Sequence, residues 1–270
     1  MSSEKAKRTL TVTACEALAA GVYSLTLQYR EGEAPKEVRP GQFVGVYSKD
    51  SARILPRPIS ICGWDQKKRE LRLVFRVVGQ GTEEFSKCQL GESLDVLGIL
   101  GNGYDLAALS GRKVLLLGGG IGAPPLLELA RQIHAENEKA GSGSITAVLG
   151  YRTDDLFLEK EFASYGDVVI TTDDGTAGFH GNVVGAVRDK AIEADVICTC
   201  GPMPMLRGVR ALALERDIPC YLSLEERMAC GVGACLGCVT KTAQVDGHSH
   251  VKNARICTEG PVFEAREVLI

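Results

Sequence analysis

The stretch that most restricts the fold runs from Lys113 to Gly141, KVLLLGGGIGAPPLLELARQIHAENEKAG. Val114 to Leu117 form a short apolar run closed by glycines, the signature of a buried strand rather than a helix. Leu126, Leu129, Ala130 and Ile133 then recur on one helical face, with Pro125 near the start and Gly141 placed to end the helix. A strand that turns through glycine directly into a helix needs further units of the same kind beside it. They follow in order: strand SITAVLGY, helical DDLFLEKEFASYG, strand DVVITTDD, helical VVGAVRDKAIEA, strand DVICTCG, helical PMLRGVRALALERD and strand PCYLSL. Alternation of this kind predicts a parallel sheet covered on both faces.

Upstream the texture differs. Residues 9–100 contain TLTVTACEAL, VYSLTLQYR, FVGVYS, ISICGW, ELRLVFRVVG and ESLDVLGIL, partly alternating in polarity and punctuated by Pro40-Gly41, Gly63, Gly79, Gly81 and Gly91. Short strands with hardly a helix between them predict a small antiparallel β-barrel. With 270 residues the chain is long enough for more than one domain. The expected division is a barrel over 1–108, an α/β domain over 109–222 and a cysteine module over 223–270, an α+β multidomain chain. A net charge of -3 without a Lys/Arg block argues against nucleic acid or an anionic membrane as partner. MSSEKAKRTL contains no apolar leader, and no run of eighteen apolar residues occurs, so a cytoplasmic protein is expected.

Gly118-Gly119-Gly120-Ile121-Gly122 lies between strand and helix, where backbone without Cβ admits a pyrophosphate to the free N–H groups of the helix start. The bland alternative is a tight turn with no ligand. Gly120-Ile121-Gly122-Ala123-Pro124-Pro125 ends in proline where the G-x-G-x-x-G fingerprint has glycine. In this the chain resembles the ferredoxin–NAD(P) reductase superfamily, whose glycine loops close on proline and whose flavin-binding barrel precedes the nucleotide domain. The resemblance extends to Arg57-Pro58-Ile59-Ser60, similar to the family's flavin motif. It implies Arg57 on the FAD pyrophosphate and the Ser60 hydroxyl near the reactive edge of the isoalloxazine. Val74-Phe75-Arg76 and Gly81-Thr82 resemble segments around the adenine and phosphate half of FAD, and Pro40-Gly41-Gln42-Phe43 the turn before the flavin strand. Cys200-Gly201-Pro202 resembles the motif that places a Cys near the nicotinamide, the reading favoured because Gly201-Pro202 and a helix follow; a buried thiol beside Cys198 is the alternative. Arg152, after SITAVLGY, is placed to meet a 2′-phosphate or simply to lie in solvent; the resemblance favours NAD.

Ten cysteines require an account, and four of them are grouped near the end. Cys230, Cys235 and Cys238 follow a C-x4-C-x2-C spacing, and eighteen residues separate Cys238 from Cys257. Such spacing is that of a plant-type [2Fe–2S] centre, and Gly231, Gly233 and Gly237 let the chain fold closely over the sulfurs. Structural zinc is the alternative, but zinc prefers two separated ligand pairs and has no need of the glycines. VTKTAQV and VKNARI flank Asp246-Gly247, a hairpin signal, with His248 and His250 expected as solvated tip residues.

The run from Glu225 to Cys238 and the ending CTEGPVF closely resemble the electron-transfer subunit family of class 1B dihydroorotate dehydrogenases. The gap between Cys238 and Cys257 is longer than expected for that family. The resemblance implies an FMN-containing catalytic subunit as partner, in a heterotetramer of two of each. Electrons would pass through the [2Fe–2S] cluster and FAD to NAD+, in de novo pyrimidine (UMP) biosynthesis. The rivals are a reductase subunit of another NAD(P)H-linked complex, of the sulfide dehydrogenase, hydrogenase or ferredoxin:NADP oxidoreductase type, and a zinc-binding module without catalysis.

Overall fold

The computed structural model describes residues 5–245 and 250–270. Strands β1 (Lys7–Ala19), β2 (Val22–Gln28), β3 (Phe43–Val46), β4 (Arg57–Asp65), β5 (Glu70–Arg76) and β6 (Ser93–Leu100) close into an antiparallel barrel in the order β1-β2-β5-β4-β3-β6. Side chains alternate across a strand, so Leu25 and Leu27 on β2 and Leu71, Leu73 and Phe75 on β5 fill the interior. A helix, α1 (Gln80–Phe85), lies between β5 and β6. It drops Phe85 into the barrel, edge-on to Phe75 with ring centroids 6.2 Å apart. Six residues are too few to show a helical period in the sequence.

The second half contains β7 (Lys113–Gly119), α2 (Ala123–Ala140), β8 (Ser144–Tyr151), α3 (Glu159–Phe162), β9 (Asp167–Thr172), β10 (Phe179–His180), α4 (Val183–Asp189), β11 (Val196–Cys200), α5 (Met203–Glu215) and β12 (Cys220–Ser223). After these come a two-stranded ribbon, β13 (Val239–Lys241) with β14 (Asn253–Arg255), and a last strand, β15 (Val262–Glu264). The large sheet has the order β10-β9-β8-β7-β11-β12-β15. All its pairings are parallel except β12 with β15. On β7, Val114 and Leu116 face one core with α2, and Leu115 and Leu117 face the other with α4 and α5. Gly141 ends α2 in the left-handed region at φ 67.

Two helices are shorter than the sequence pattern predicts. Over Asp154–Gly166 only α3 forms, because Leu156, Phe157 and Leu158 all pack inward in succession, which one helical face cannot do. The Tyr151 hydroxyl donates to the Phe157 carbonyl and fixes that loop. In VVGAVRDKAIEA the helix stops at Asp189. Asp246, Gly247 and His248 lie outside the described residues; His250 is exposed.

The parts share their cores. Val22, Cys62 and Val74 of the barrel pack in one cluster with Leu126 and Leu127 of α2. Phe43 and Leu100, at the barrel end, pack with Cys238, Cys257 and Phe263 of the tail. No helix among the described residues is long and apolar enough to cross a membrane.

Candidate functional site

A cleft of about 540 Å³ opens at the carboxyl ends of the parallel strands, between β7 and β11 where the strand order reverses. Gly119, the last residue of β7, and Gly120 to Gly122 after it, Tyr151 at the end of β8 with Arg152 and Thr153, Asp173 after β9, and Gly201 and Pro202 after β11 all line it. The glycines of the loop have different reasons to be there. A Cβ on Gly122 would stand 2.2 Å from the Cys200 carbonyl oxygen, and one on Gly119 2.6 Å from Met205 Sδ. These two permit the loop to close against the strand end. Gly120 is different: its φ is +52 and a Cβ would meet nothing within 4 Å, so bare backbone faces open space. Gly118 lies below the cleft with Leu149 and Leu126.

Thr171 closes the floor of the cleft, fully buried, with its Oγ1 unpartnered. A buried hydroxyl without a partner costs free energy unless a ligand or water meets it. An orphan acceptor-donor beside an open glycine turn fits a polar nucleotide. Arg152 and Arg76 stand at the cleft wall, Arg76 reaching it from the barrel. Cys200 does not line it. Its side chain is fully buried, and burial, then the Glu225 charge, keep the thiol well above its ordinary range, while a hydrogen bond with Ser223 acts the other way. Glu225, which the motifs leave unassigned, lines the cleft; burial of its carboxyl pushes it up although the residue as a whole presents surface. Asn182 also lines the cleft while capping α4 through Gly185 N–H at 2.9 Å.

On the barrel, the residues matched to the flavin motif separate into two groups. Ile59 and Phe75 face the barrel core, and Val74 faces the interdomain core. Arg57, Pro58, Ser60, Arg76, Gly81 and Thr82 remain at the surface side or the start of α1. A Cβ on Gly81 would lie 2.4 Å from Arg57 Nε, so only glycine lets the guanidinium lie flat against the turn. Arg57 donates to the Leu55 carbonyl and, among the described residues, has no carboxylate within 4.0 Å. Thr82 Oγ1 accepts from Val78 and Gly79 N–H at 3.0 and 3.2 Å and shapes that turn. Ile54, Leu55 and Val78 nearby are 76%, 48% and 81% exposed. A guanidinium without a carboxylate partner, rimmed by uncovered apolar side chains, fits a group with an anionic link and a flat ring. Ser60 pairs with Phe43 across β4 and β3, which puts it on the tail side of the barrel.

The cysteine loop is built around sulfur. Cys230 Sγ accepts from the N–H groups of Val232, Ala234 and Cys235 at 3.4, 3.3 and 3.4 Å, and Cys235 Sγ accepts from Gly237 N–H at 3.4 Å. Positive φ at Gly231 (68), Gly233 (88) and Leu236 (56) turns those amides inward. Burial opposes ionisation of Cys230, but the amides of Val232, Cys235 and Ala234 together with the Cys235 side chain bring its thiol down to about 6. Cys257 is pushed up to about 12, first by burial and then by its hydrogen bond and charge interaction with Cys238. Cys230 thus lies beside Cys235, and Cys257 beside Cys238 and within reach of the Cys230 charge. Among the described residues no three ligating side chains close on one ion-sized position. A sulfur that already receives three amide donors fits a thiolate ligand of an iron–sulfur cluster.

Residues 225–269 match the model of the iron–sulfur cluster binding domain of dihydroorotate dehydrogenase B. Across 265 residues, 97% of this chain and 98% of the relative, the chain is 43% identical to a dihydroorotate dehydrogenase B (NAD(+)) electron transfer subunit of Geobacillus sp. (strain WCH70). It is 40% identical to the subunit of that name from Streptococcus pneumoniae (strain ATCC BAA-255 / R6), over 97% of this chain and 98% of the other. Among solved structures, an NADH-dependent reduced ferredoxin-NADP oxidoreductase studied for flavin-based electron bifurcation superposes with a TM-score of 0.81 at 28% identity, covering 96% and 89% of the two chains. The ferredoxin reductase of carbazole 1,9a-dioxygenase shares the fold at a TM-score of 0.67, 21% identity, and 80% and 68% coverage.

Proposed function

The chain belongs to the family of dihydroorotate dehydrogenase B electron transfer subunits, and from that premise we propose that it takes electrons from a separate FMN-containing, dihydroorotate-oxidising subunit and delivers them to NAD+ in pyrimidine biosynthesis. The observation that carries the reading is the Cys230 loop, whose three backbone amides converge on one sulfur. When bound, a [2Fe–2S] cluster supplies one-electron transfer, and FAD the exchange between one-electron and two-electron chemistry that NAD+ requires.

The residues divide the work. Cys230, Cys235, Cys238 and Cys257 would hold the iron, and the loop amides would stabilise negative charge on sulfur. Arg57, against the glycine of α1, would neutralise the FAD pyrophosphate, Ser60 would offer its hydroxyl to the flavin, and Pro58, Arg76, Gly81 and Thr82 would shape the remainder of that site. Gly119 to Gly122, Gly201 and Pro202 would form the bed for the NAD pyrophosphate and nicotinamide, where the bare backbone of Gly120 would admit the phosphates and the buried Thr171 hydroxyl could be met. Cys200 acts from beneath the bed by packing. The parts are a barrel over 1–108, a nucleotide domain over 109–222 and a cluster module over 223–270, paired with the catalytic subunit as two of each. Ten free thiols suit a reducing cytoplasm.

An anaerobic visible spectrum titrated with NADH and separately with NADPH tests this. Flavin and cluster bands that bleach with NADH, and far less with NADPH, are expected. A colourless, iron-free, zinc-loaded protein would end the redox reading. The likeness to a ferredoxin-NADP oxidoreductase over nearly the whole chain supports a second reading, in which the same cofactors serve another partner. Failure of dihydroorotate and its oxidising subunit to reduce the loaded chain would favour it.

A further inference from the structure

One side chain between the barrel and the cysteine tail has no part in the assignments above. Asn102 lies just beyond β6, where the chain leaves the barrel. Its Nδ2 donates to the carbonyl oxygens of Glu259 and Val262, both at 2.8 Å, and its Oδ1 accepts from Val262 N–H at 3.2 Å. Its backbone N–H donates to the Gly260 carbonyl at 2.7 Å. Four bonds from one residue thus seize the segment that begins directly after Cys257 and Thr258. The contact has no slack. A Cβ on Gly101 would stand 2.6 Å from Pro261 Cδ, and one on Gly41 2.9 Å from Val262 Cγ2.

The bonding continues into the ligand loop. The Glu259 carboxylate accepts from the Arg255 guanidinium, from Arg255 N–H and from the Thr258 hydroxyl. Arg255 Nη1 in turn donates to the Gly233 carbonyl at 3.3 Å. Gly233 sits in the turn whose neighbouring amides point at Cys230 Sγ. A continuous set of hydrogen bonds therefore joins the barrel exit to both halves of the cysteine set.

We propose that Asn102 is a positioning residue: it holds the Cys257 segment on the end of the barrel and, through Glu259 and Arg255, keeps the Cys230–Cys235 loop in the shape that aims its amides at sulfur. Asparagine suits the post because one planar amide carries two donors and an acceptor. Alanine removes all three side-chain bonds and leaves the Glu259 and Val262 carbonyls unmet in a partly buried place. The proposal rests on the reading of the four cysteines as cluster ligands.

The test compares wild type with Asn102→Ala, both purified with their cofactors and matched for iron content. Three quantities are read: the rate at which an iron chelator bleaches the oxidised cluster, the cluster midpoint potential by EPR-monitored titration, and the rate of flavin reduction by NADH. With two donor bonds lost, chelator bleaching is expected to quicken by roughly tenfold or more. The potential should move to a more negative value as the amides slip from sulfur, while flavin reduction by NADH is unchanged. A packing role alone would not move the potential. Identical bleaching and potential in the variant would overturn the proposal, whereas a wild-type protein without the cluster would sink the functional reading on which it stands. If Asn102→Ala does not accumulate folded, Glu259→Gln carries the test through bleaching. It leaves the main-chain bonds to Asn102 in place and weakens only the Arg255 branch, so a smaller acceleration is expected, and none at all would overturn the relay.

Discussion

At the residue scale, glycines that look alike in the sequence do unlike things. Gly122 is excluded from bearing a Cβ by the Cys200 carbonyl 2.2 Å away, a backbone atom that cannot swing aside. Gly122→Ala should cost about 3 kcal/mol, as overpacking does, and abolish NADH binding. Gly120→Ala meets no neighbour and carries only the strain of its positive φ, about 1 kcal/mol. Thermal melting of the two variants beside wild type separates them; equal losses would show that the loop is not packed against β11. The cysteines divide in the same way. Cys220 is buried within the sheet and serves as an apolar side chain, whereas Cys257 faces its cysteine partners. Cys257→Ser is expected to lose the iron and the visible cluster bands, and Cys220→Ser to keep both, as iron analysis would show.

At the element scale the informative strand is β15. The tail does not hang from the nucleotide domain as a separate bead; Val262 to Glu264 pair antiparallel with Ser223 to Tyr221 and become the seventh strand of the sheet. Phe263 and Val268 are buried with Leu222 and Leu224 in the core that also contains Cys238 and Cys257. Removal of residues 262–270 uncovers these side chains, at about 1.5–3 kcal/mol for each large one, and leaves the β12 edge open to pairing with other chains. The truncated chain should bind little iron although all four cysteines remain, and should scatter light. A monomeric truncation with full iron content would show that the strand is dispensable. Legibility at this scale followed length and period. α2 is plain, with its apolar stripe and terminal Gly141; α1 and β10 are too short for any period to declare itself, and the helix expected over DDLFLEKEFASYG is reduced to α3.

At the scale of the whole molecule, the barrel and the parallel sheet behave as one body because they share apolar surface. Val22, Cys62 and Val74 are buried with Leu126, Leu127 and Leu129, and Arg72 of β5 forms an ion pair with Glu161 of α3 across the same seam. That pair is partly exposed and worth at most about 1 kcal/mol, so the apolar contact is the stronger bond between the two halves. Scanning calorimetry of the loaded protein should therefore record one cooperative transition. Two separated transitions would mean that the seam opens on its own.

The fold class and the chemistry of the ligand loop could be read from the chain alone, since both are local. Strand and helix announce themselves by period, a glycine turn by its place between them, and Cys230, Cys235 and Cys238 lie close enough in sequence that spacing nearly dictates their geometry. The same plant-type pattern, with its distant fourth cysteine, joined Cys257 to them, and resemblance to a known family marked Arg57 and Ser60. What the tertiary structure decided is which of these residues face the cleft or the surface and which face the core: Ile59, Val74, Phe75 and Cys200 turn inward, while Thr171, in no motif, and Glu225, to which the motifs give no role, line the cleft. It alone revealed Asn102, whose side-chain partners lie 157 and 160 residues away. Periodicity tells which face of an element is apolar, but the register of contacts between distant elements depends on how every side chain between them packs, and no short stretch of sequence contains that.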